Sequence, residues 1–246
     1  MRIGIIVIGD ELLLGKRQDR HLAKMIAILG ARGLRLDWAR IVGDEPPLLE
    51  ATLRDTFASG DLVFSFGGIG ATPDDVTRQC VAAALGRALV RHPEAAALIE
   101  AHFGASAYPN RILMADLPQG ARLIPNPVNQ IPGFSLDDHH FLPGFPNMAW
   151  PMAEWVLDTH YRHLFRAHPE TERTVIVYGV PESALIPTMR ELLAAFPAVK
   201  LASLPSTVNS GEIDLGVRGE SAEVARAYDW LLARLDALGV RRAPAS

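Results

Sequence analysis

With 246 residues, 49% of them hydrophobic and 21% charged, the chain is long enough for two packed cores and has the make-up of a folded, water-compatible protein. A formal net charge of −4 with scattered basic residues offers no broad electrostatic surface for nucleic acid or anionic membrane. A single cysteine, Cys80, excludes an intrachain disulfide and any multi-cysteine metal site.

The apolar run Ile3–Ile8 is continuous, β-branched and closed by Gly9, the pattern of a strand covered on both faces. It is too short for a signal sequence or a membrane span, and no later stretch is long enough, so a cytoplasmic location is expected. Leu22, Met25, Ile26 and Leu29 recur at helical spacing before Gly30, which predicts an amphipathic helix ended by glycine. Residues 34–42 read as a second strand. Pro46 and Pro47 then open a helix with the apolar stripe Leu49, Leu53 and Phe57. Residues 61–66 read as a third strand that runs into Gly67-Gly68-Ile69-Gly70. A helix is expected from about Pro73-Asp74, with Cys80 as a small buried residue on its apolar side.

Strands alternating with helices imply right-handed crossovers and a mainly parallel sheet, whose ligands bind beyond the C-terminal ends of the strands. The turns at Gly9-Asp10-Glu11, Val42-Gly43-Asp44 and 67–75 all fall at such ends. Further on, residues 93–103 read as helix, 105–147 as a loop-rich, proline-rich stretch with a short strand at 140–142, and 147–164 as a helix carrying Trp150 and Trp155. The polar segment 165–172 contains a proline and reads as a linker, giving domains at 1–164 and 173–246. The second domain alternates strand, helix, strand, strand, helix, which predicts a small α+β layer with one helical face.

The stretch from Gly67 to Thr77 carries most of the chemistry. Glycines after a strand let backbone approach a ligand, and the N–H groups of a following helix favour an anion. Asp74 and Asp75 would repel phosphate, unless they accept hydrogen bonds from a heterocycle or ribose, or hold a divalent cation that bridges to phosphate. Thr72 is the expected cap of the helix. The string lacks the Lys-Ser/Thr pair of a Walker loop and follows the third strand rather than the first, unlike a dinucleotide fingerprint. The pairs His139-His140 and His160/His163 read as solvated surface, lacking a clear third ligand.

This stretch, with Ile8-Gly9-Asp10-Glu11-Leu12-Leu13-Leu14-Gly15 and Val42-Gly43-Asp44, resembles the molybdopterin-binding domain. That domain is shared by molybdenum-cofactor biosynthesis proteins, competence/damage-inducible protein A and the N-terminal domain of eukaryotic FAD synthases. Ile124-Pro125-Asn126-Pro127-Val128, Pro132-Gly133-Phe134 and Leu142-Pro143-Gly144-Phe145-Pro146-Asn147-Met148 are similar to the later motifs of the competence/damage branch. The resemblance spans roughly residues 3–160 and implies a three-layer α/β/α sandwich, often trimeric, hence a homo-oligomer. It implies a phosphorylated small-molecule ligand, molybdopterin or a relative. Asp44 and Asp75 match the family's acidic positions, Gly67, Gly68 and Gly70 its phosphate-binding turn, and Thr72, Asp74, Thr77, Asp10, Glu11, Asn126 and Asn129 are further binding candidates. The branch is also associated with metal-dependent cleavage of ADP-ribose-type pyrophosphates, and the FAD-synthase domain with FAD hydrolysis. That alternative would place Mg²⁺ or Mn²⁺ at Asp74 and Asp75. A third reading is a competence/damage-response interaction module without turnover. Proteins of the branch continue into a nicotinamide-nucleotide amidase domain, whose activity is not carried over to a sequence ending at Ser246. Residues 173–240 resemble the branch's small KH-like domain but lack its Gly-x-x-Gly loop, so RNA binding is not inferred.

Overall fold

A computed structural model describes residues 1–165, 170–206, 209 and 211–244. The chain divides into two compact units, Met1–Phe165 and Arg166–Ser246. Of the expected linker at 165–172, residues 166–169 lie outside the described residues.

The first unit runs β1 (Ile3–Ile8), α1 (Asp10–Leu13), α2 (His21–Gly30), β2 (Trp38–Val42), α3 (Pro46–Ser59), β3 (Leu62–Phe66), α4 (Thr77–Leu85), β4 (Leu89–Arg91), α5 (Pro93–Phe103), β5 (Asp116–Pro118), β6 (Arg122–Ile124), β7 (Gly133–Leu136), β8 (His139–Leu142) and α6 (Pro146–His160). Its central sheet has six strands in the order β2-β1-β3-β8-β7-β6. β2, β1, β3 and β8 pair in parallel, and β7 alone runs opposite to the other five strands. The unbroken apolar run of β1 is explained by burial on both sides. Ile3, Ile5 and Val7 pack in one cluster with Met25 and Leu29 of α2 and Met152 and Val156 of α6. Ile6 and Ile8 pack in the other with Leu49 and Leu53 of α3, Cys80 and Val81 of α4 and Ile99 of α5. This is a three-layer α/β/α sandwich.

Three expectations need correction. The second strand starts at Trp38 rather than at residue 34, because Leu34 and Leu36 pack against the core and pairing with β1 begins at Gly4–Trp38. α4 begins at Thr77, not near Pro73-Asp74. Residues 72–75 close a turn of their own, in which the Asp75 N–H donates to the Thr72 carbonyl at 3.0 Å, so Thr72 is not the cap of α4. His139 and His140 are buried, not solvated: His139 stacks on Phe57 at 3.7 Å, and burial holds its pKa down to about 4.

The second unit comprises β9 (Thr171–Tyr178), α7 (Glu182–Ala195), β10 (Lys200–Pro205), β11 (Glu212–Gly219), α8 (Ser221–Ala237) and β12 (Arg241–Pro244). Its antiparallel sheet has the order β10-β11-β9-β12. Val175, Val177, Leu215 and Val217 pack with Leu185 and Leu192 of α7 and Leu231 and Leu235 of α8, which gives an α+β layer with one helical face. Among the described residues of the whole chain, no helix is long and apolar enough to cross a membrane.

Candidate functional site

The C-terminal ends of β1, β2 and β3 lie side by side, so the turns that follow them converge. The Gly9 N–H donates to the Val42 carbonyl at 3.0 Å. The next residues clamp the two turns reciprocally: the Asp10 N–H donates to Asp44 Oδ2 at 3.0 Å, and the Asp44 N–H to Asp10 Oδ1 at 3.1 Å. Asp10 Oδ2 and Asp44 Oδ1 keep no hydrogen-bond partner among the described residues. Burial pushes the Asp44 carboxyl above the usual carboxylate range against the lowering effect of the Asp10 N–H, and the charges of Asp10, Glu11 and Asp74 push the same way as burial. Asp10, Glu11, Asp44 and Asp74 therefore lie close enough to act on one another as an acidic cluster, the acidic pocket of the site.

The glycine turn reaches it by close backbone packing. Gly67 adopts φ 108° and Gly68 φ 68°, and a Cβ on Gly67 would stand 2.4 Å from the Ile8 carbonyl oxygen. The Gly67 N–H donates to Leu142 O, and the Thr77 N–H to Gly68 O, both at 3.0 Å. Thr77, a binding candidate from sequence, is buried, and its hydroxyl donates to the Gly67 carbonyl at 3.1 Å, so it shapes the turn from behind. Arg78 is buried beside it and donates to Gly70 O at 2.7 Å.

Asp75 folds back onto its own turn. Its Oδ2 accepts the Thr72 N–H at 2.9 Å and the Thr72 hydroxyl at 2.5 Å. The Asp74 carboxyl is held below the usual range by the neighbouring Thr72 side chain and by a backbone N–H. Asn126 and Asn129 shape the 125–132 loop: Asn126 Oδ1 accepts the Val128 N–H and Asn129 Oδ1 the Ile131 N–H. Among the described residues no three His, Cys, Asp or Glu side chains are placed to hold a metal ion together. The Mg²⁺ or Mn²⁺ expected at Asp74 and Asp75 thus does not fit the donors present, since one oxygen of Asp75 is already engaged and no third ligand joins the pair.

Beside the acidic pocket lies a cavity of about 350 Å³ that sequence reasoning missed. Glu11 borders it, as do Arg17, Gln18, Arg20 and His21 from the connection into α2, with Phe66 and Gly144. The Asp19 carboxylate takes the N–H groups of His21 and Leu22 at 2.8 and 3.0 Å. His21 stacks on Phe66 at 4.4 Å, and its Nε2 lies 3.1 Å from Gly144 O. A carbonyl only accepts, so Nε2 carries the proton; burial lowers the ring's pKa and keeps it neutral. The only sequence signal for this cavity was Asp19 placed two residues before a helix.

A second set of polar groups mimics a catalytic relay but is closed off. The Tyr161 hydroxyl donates to Asp138 Oδ1 at 2.7 Å, so it accepts from His140 Nε2 at 2.8 Å, and His140 Nδ1 accepts from the Ser135 hydroxyl at 2.8 Å. Ser135 and His140 are only 4% and 1% exposed, leaving no room for a substrate.

A family model described as a probable molybdopterin binding domain matches residues 4–163. The chain belongs to that family. A CinA-like protein of Syntrophotalea carbinolica is 34% identical to it over 190 residues, 74% of this chain and 46% of that protein. A protein of Aeropyrum pernix is 32% identical over 237 residues, 92% of this chain and 88% of that one. The crystal structure of the protein CinA with unknown function from Thermoplasma acidophilum matches at TM-score 0.59 and 28% identity, over 64% of this chain and 98% of that one. The chain spans about half the length of the first CinA-like relatives it matches, 46% and 50%. The molybdopterin-family match thus covers the unit that holds both the acidic pocket and the cavity.

Proposed function

We propose that the first unit binds molybdopterin or a related phosphorylated pterin or nucleotide in the pocket formed by Asp10, Glu11, Asp44, Asp74 and the turn at Gly67, Gly68 and Gly70. The carrying observation is the reciprocal Asp10–Asp44 clamp, which presents two unpartnered carboxylate oxygens at the C-terminal edge of a parallel sheet. Such a pair suits a heterocycle that offers an amino group and a ring N–H side by side, as a pterin does. A donor from the ligand would stabilise the Asp44 carboxylate, which is raised chiefly by burial and further by the neighbouring acidic groups. Family membership supports the same class of ligand.

The test is calorimetry with hydroxymethylpterin diphosphate. Asp44→Asn should weaken binding roughly ten- to a hundredfold, the loss of a charge-assisted hydrogen bond, with the melting temperature unchanged. Unaltered affinity would overturn the proposal. Self-association belongs to the same reading.

A further inference from the structure

We infer that Arg17 and Arg20, on the connection into α2, form the cationic subsite for the phosphate or diphosphate tail of the ligand, in the cavity they share with His21, Phe66 and Gly144. The inference rests on the proposed binding of a phosphorylated heterocycle and assigns the anionic half of that ligand.

A phosphorylated ligand is favoured by positive charge, and the glycine turn 67–72 carries no basic side chain. The N–H groups of Gly67, Thr72, Asp75 and Thr77 are taken by Leu142 O, Asp75 Oδ2, Thr72 O and Gly68 O. The first N–H of α4 is therefore spent inside the protein, and Asp74 adds negative charge nearby. No cation can be called on from three converging ligands among the described residues. Arg17 and Arg20 supply positive charge on the cavity itself. Neither forms an ion pair with a described residue, and both border the cavity. Asp19, which also lines the cavity, has both oxygens engaged by the His21 and Leu22 N–H groups and pairs with neither arginine. Arg20 also lies 5.7 Å over the Trp150 ring, which holds the guanidinium near the cavity rather than free in solvent.

The cavity adjoins the acidic turns. Glu11 borders it, Phe66 leads directly into Gly67, and a Cβ on Gly144 would stand 3.5 Å from the Gly67 Cα. A ligand whose ring faces Asp44 can thus run its tail past Gly67 toward the two guanidiniums. Their forked donors match phosphate oxygens two at a time. Gln18, between the arginines in sequence and also on the cavity, adds a neutral donor.

The test compares wild type, the double variant R17Q/R20Q and R17K/R20K by calorimetry with three probes: inorganic pyrophosphate, hydroxymethylpterin and hydroxymethylpterin diphosphate. In R17Q/R20Q the affinity for pyrophosphate and for the diphosphate should fall roughly tenfold or more, while unphosphorylated hydroxymethylpterin binds as to wild type. R17K/R20K should recover part of the loss, and melting curves should match, because both side chains are exposed. Equal affinity of wild type and R17Q/R20Q for the diphosphate overturns this inference and leaves the proposed function standing. Failure of wild type to bind either pterin overturns the proposed function; pyrophosphate binding lost on removing the arginines would still identify the anion subsite.

Discussion

At the scale of single residues, the placing of Asp10, Glu11 and Asp44 at strand ends was legible, because each follows closely on the buried end of an apolar strand. The histidines were not legible, because burial follows from tertiary packing that no local pattern of His139-His140 reports. Their burial has a measurable consequence. His140 is pushed down to about 3 and His139 to about 4, chiefly by burial, whereas an unfolded histidine titrates near ~6.5. Below that value the unfolded chain takes up protons that the folded chain refuses. The stability these groups contribute is therefore fully present above about pH 6.5 and is lost as pH falls toward their folded values, at up to about 1.4 kcal/mol per pH unit for each. Asp61 acts in a lower window. Burial alone would raise it, but Arg2, Trp38 and Ser59 hold it at about 2, so its contribution is lost only as pH falls from about 4 toward 2. Urea titrations should show the midpoint already falling between pH 6 and pH 4; a flat profile there would contradict the buried, neutral histidines. Tyr161→Phe probes the same network. It strands the His140 Nε2–H and should cost about 1–3 kcal/mol in unfolding free energy without altering pterin binding. Loss of binding at unchanged stability would mean that the relay is functional after all.

Among the elements, β1, α2, α3 and α5 were readable because period and punctuation agree: an unbroken β-branched run, a helical stripe closed by Gly30, and prolines opening at Pro46 and Pro93. β4, β5 and β6 were not. Each has three residues, and what makes them strands is the neighbour they pair with rather than their own sequence. The start of α4 was misplaced because Pro-Asp-Asp resembles a helix entrance, yet the Thr72–Asp75 bonds close a separate turn first. That turn explains why Gly68 is glycine. At φ 68° a side chain is strained, and its Cβ would fall 2.2 Å from Thr77 Oγ1, the hydroxyl that ties α4 to the turn. Gly68→Ala should lower stability by about 1–3 kcal/mol and remove pterin binding with it. Thermal melts beside calorimetry would decide; a variant as stable as wild type would mean that the turn is not held as described.

For the molecule as a whole, the mainly parallel sheet and the convergence of the turns after β1, β2 and β3 at one edge followed from βαβ alternation alone, since a right-handed crossover leaves few other arrangements. The cavity did not follow, because Arg17, Arg20, Phe66 and Gly144 come from separate parts of the sequence and meet only on folding. Assembly draws on the same kind of distant convergence. β2 ends the six-stranded sheet, so the outer backbone groups of Trp38–Val42 have no further strand to pair with. Around that edge, Leu13 and Leu14 are 60% and 66% exposed, Ile41 49% and Leu48 50%. Leu13 lies against Gly43, since a Cβ there would stand 3.3 Å from Leu13 Cδ1, so the leucines of α1 flank the strand end rather than a distant surface. An open edge with adjoining large apolar side chains invites a second strand, and burying each of these side chains contributes about 1.5–3 kcal/mol. A second copy of the chain covers this edge in the assembly we expect, which would bring α1, and with it Asp10 and Glu11, close to the contact. Light scattering at micromolar concentration should report an oligomer for the wild type and a monomer for Leu14→Glu/Ile41→Glu, with the melting curve of each variant recorded to establish that it folds. A monomeric wild type would overturn self-association. An oligomer that survives both substitutions would move the interface away from the β2 edge.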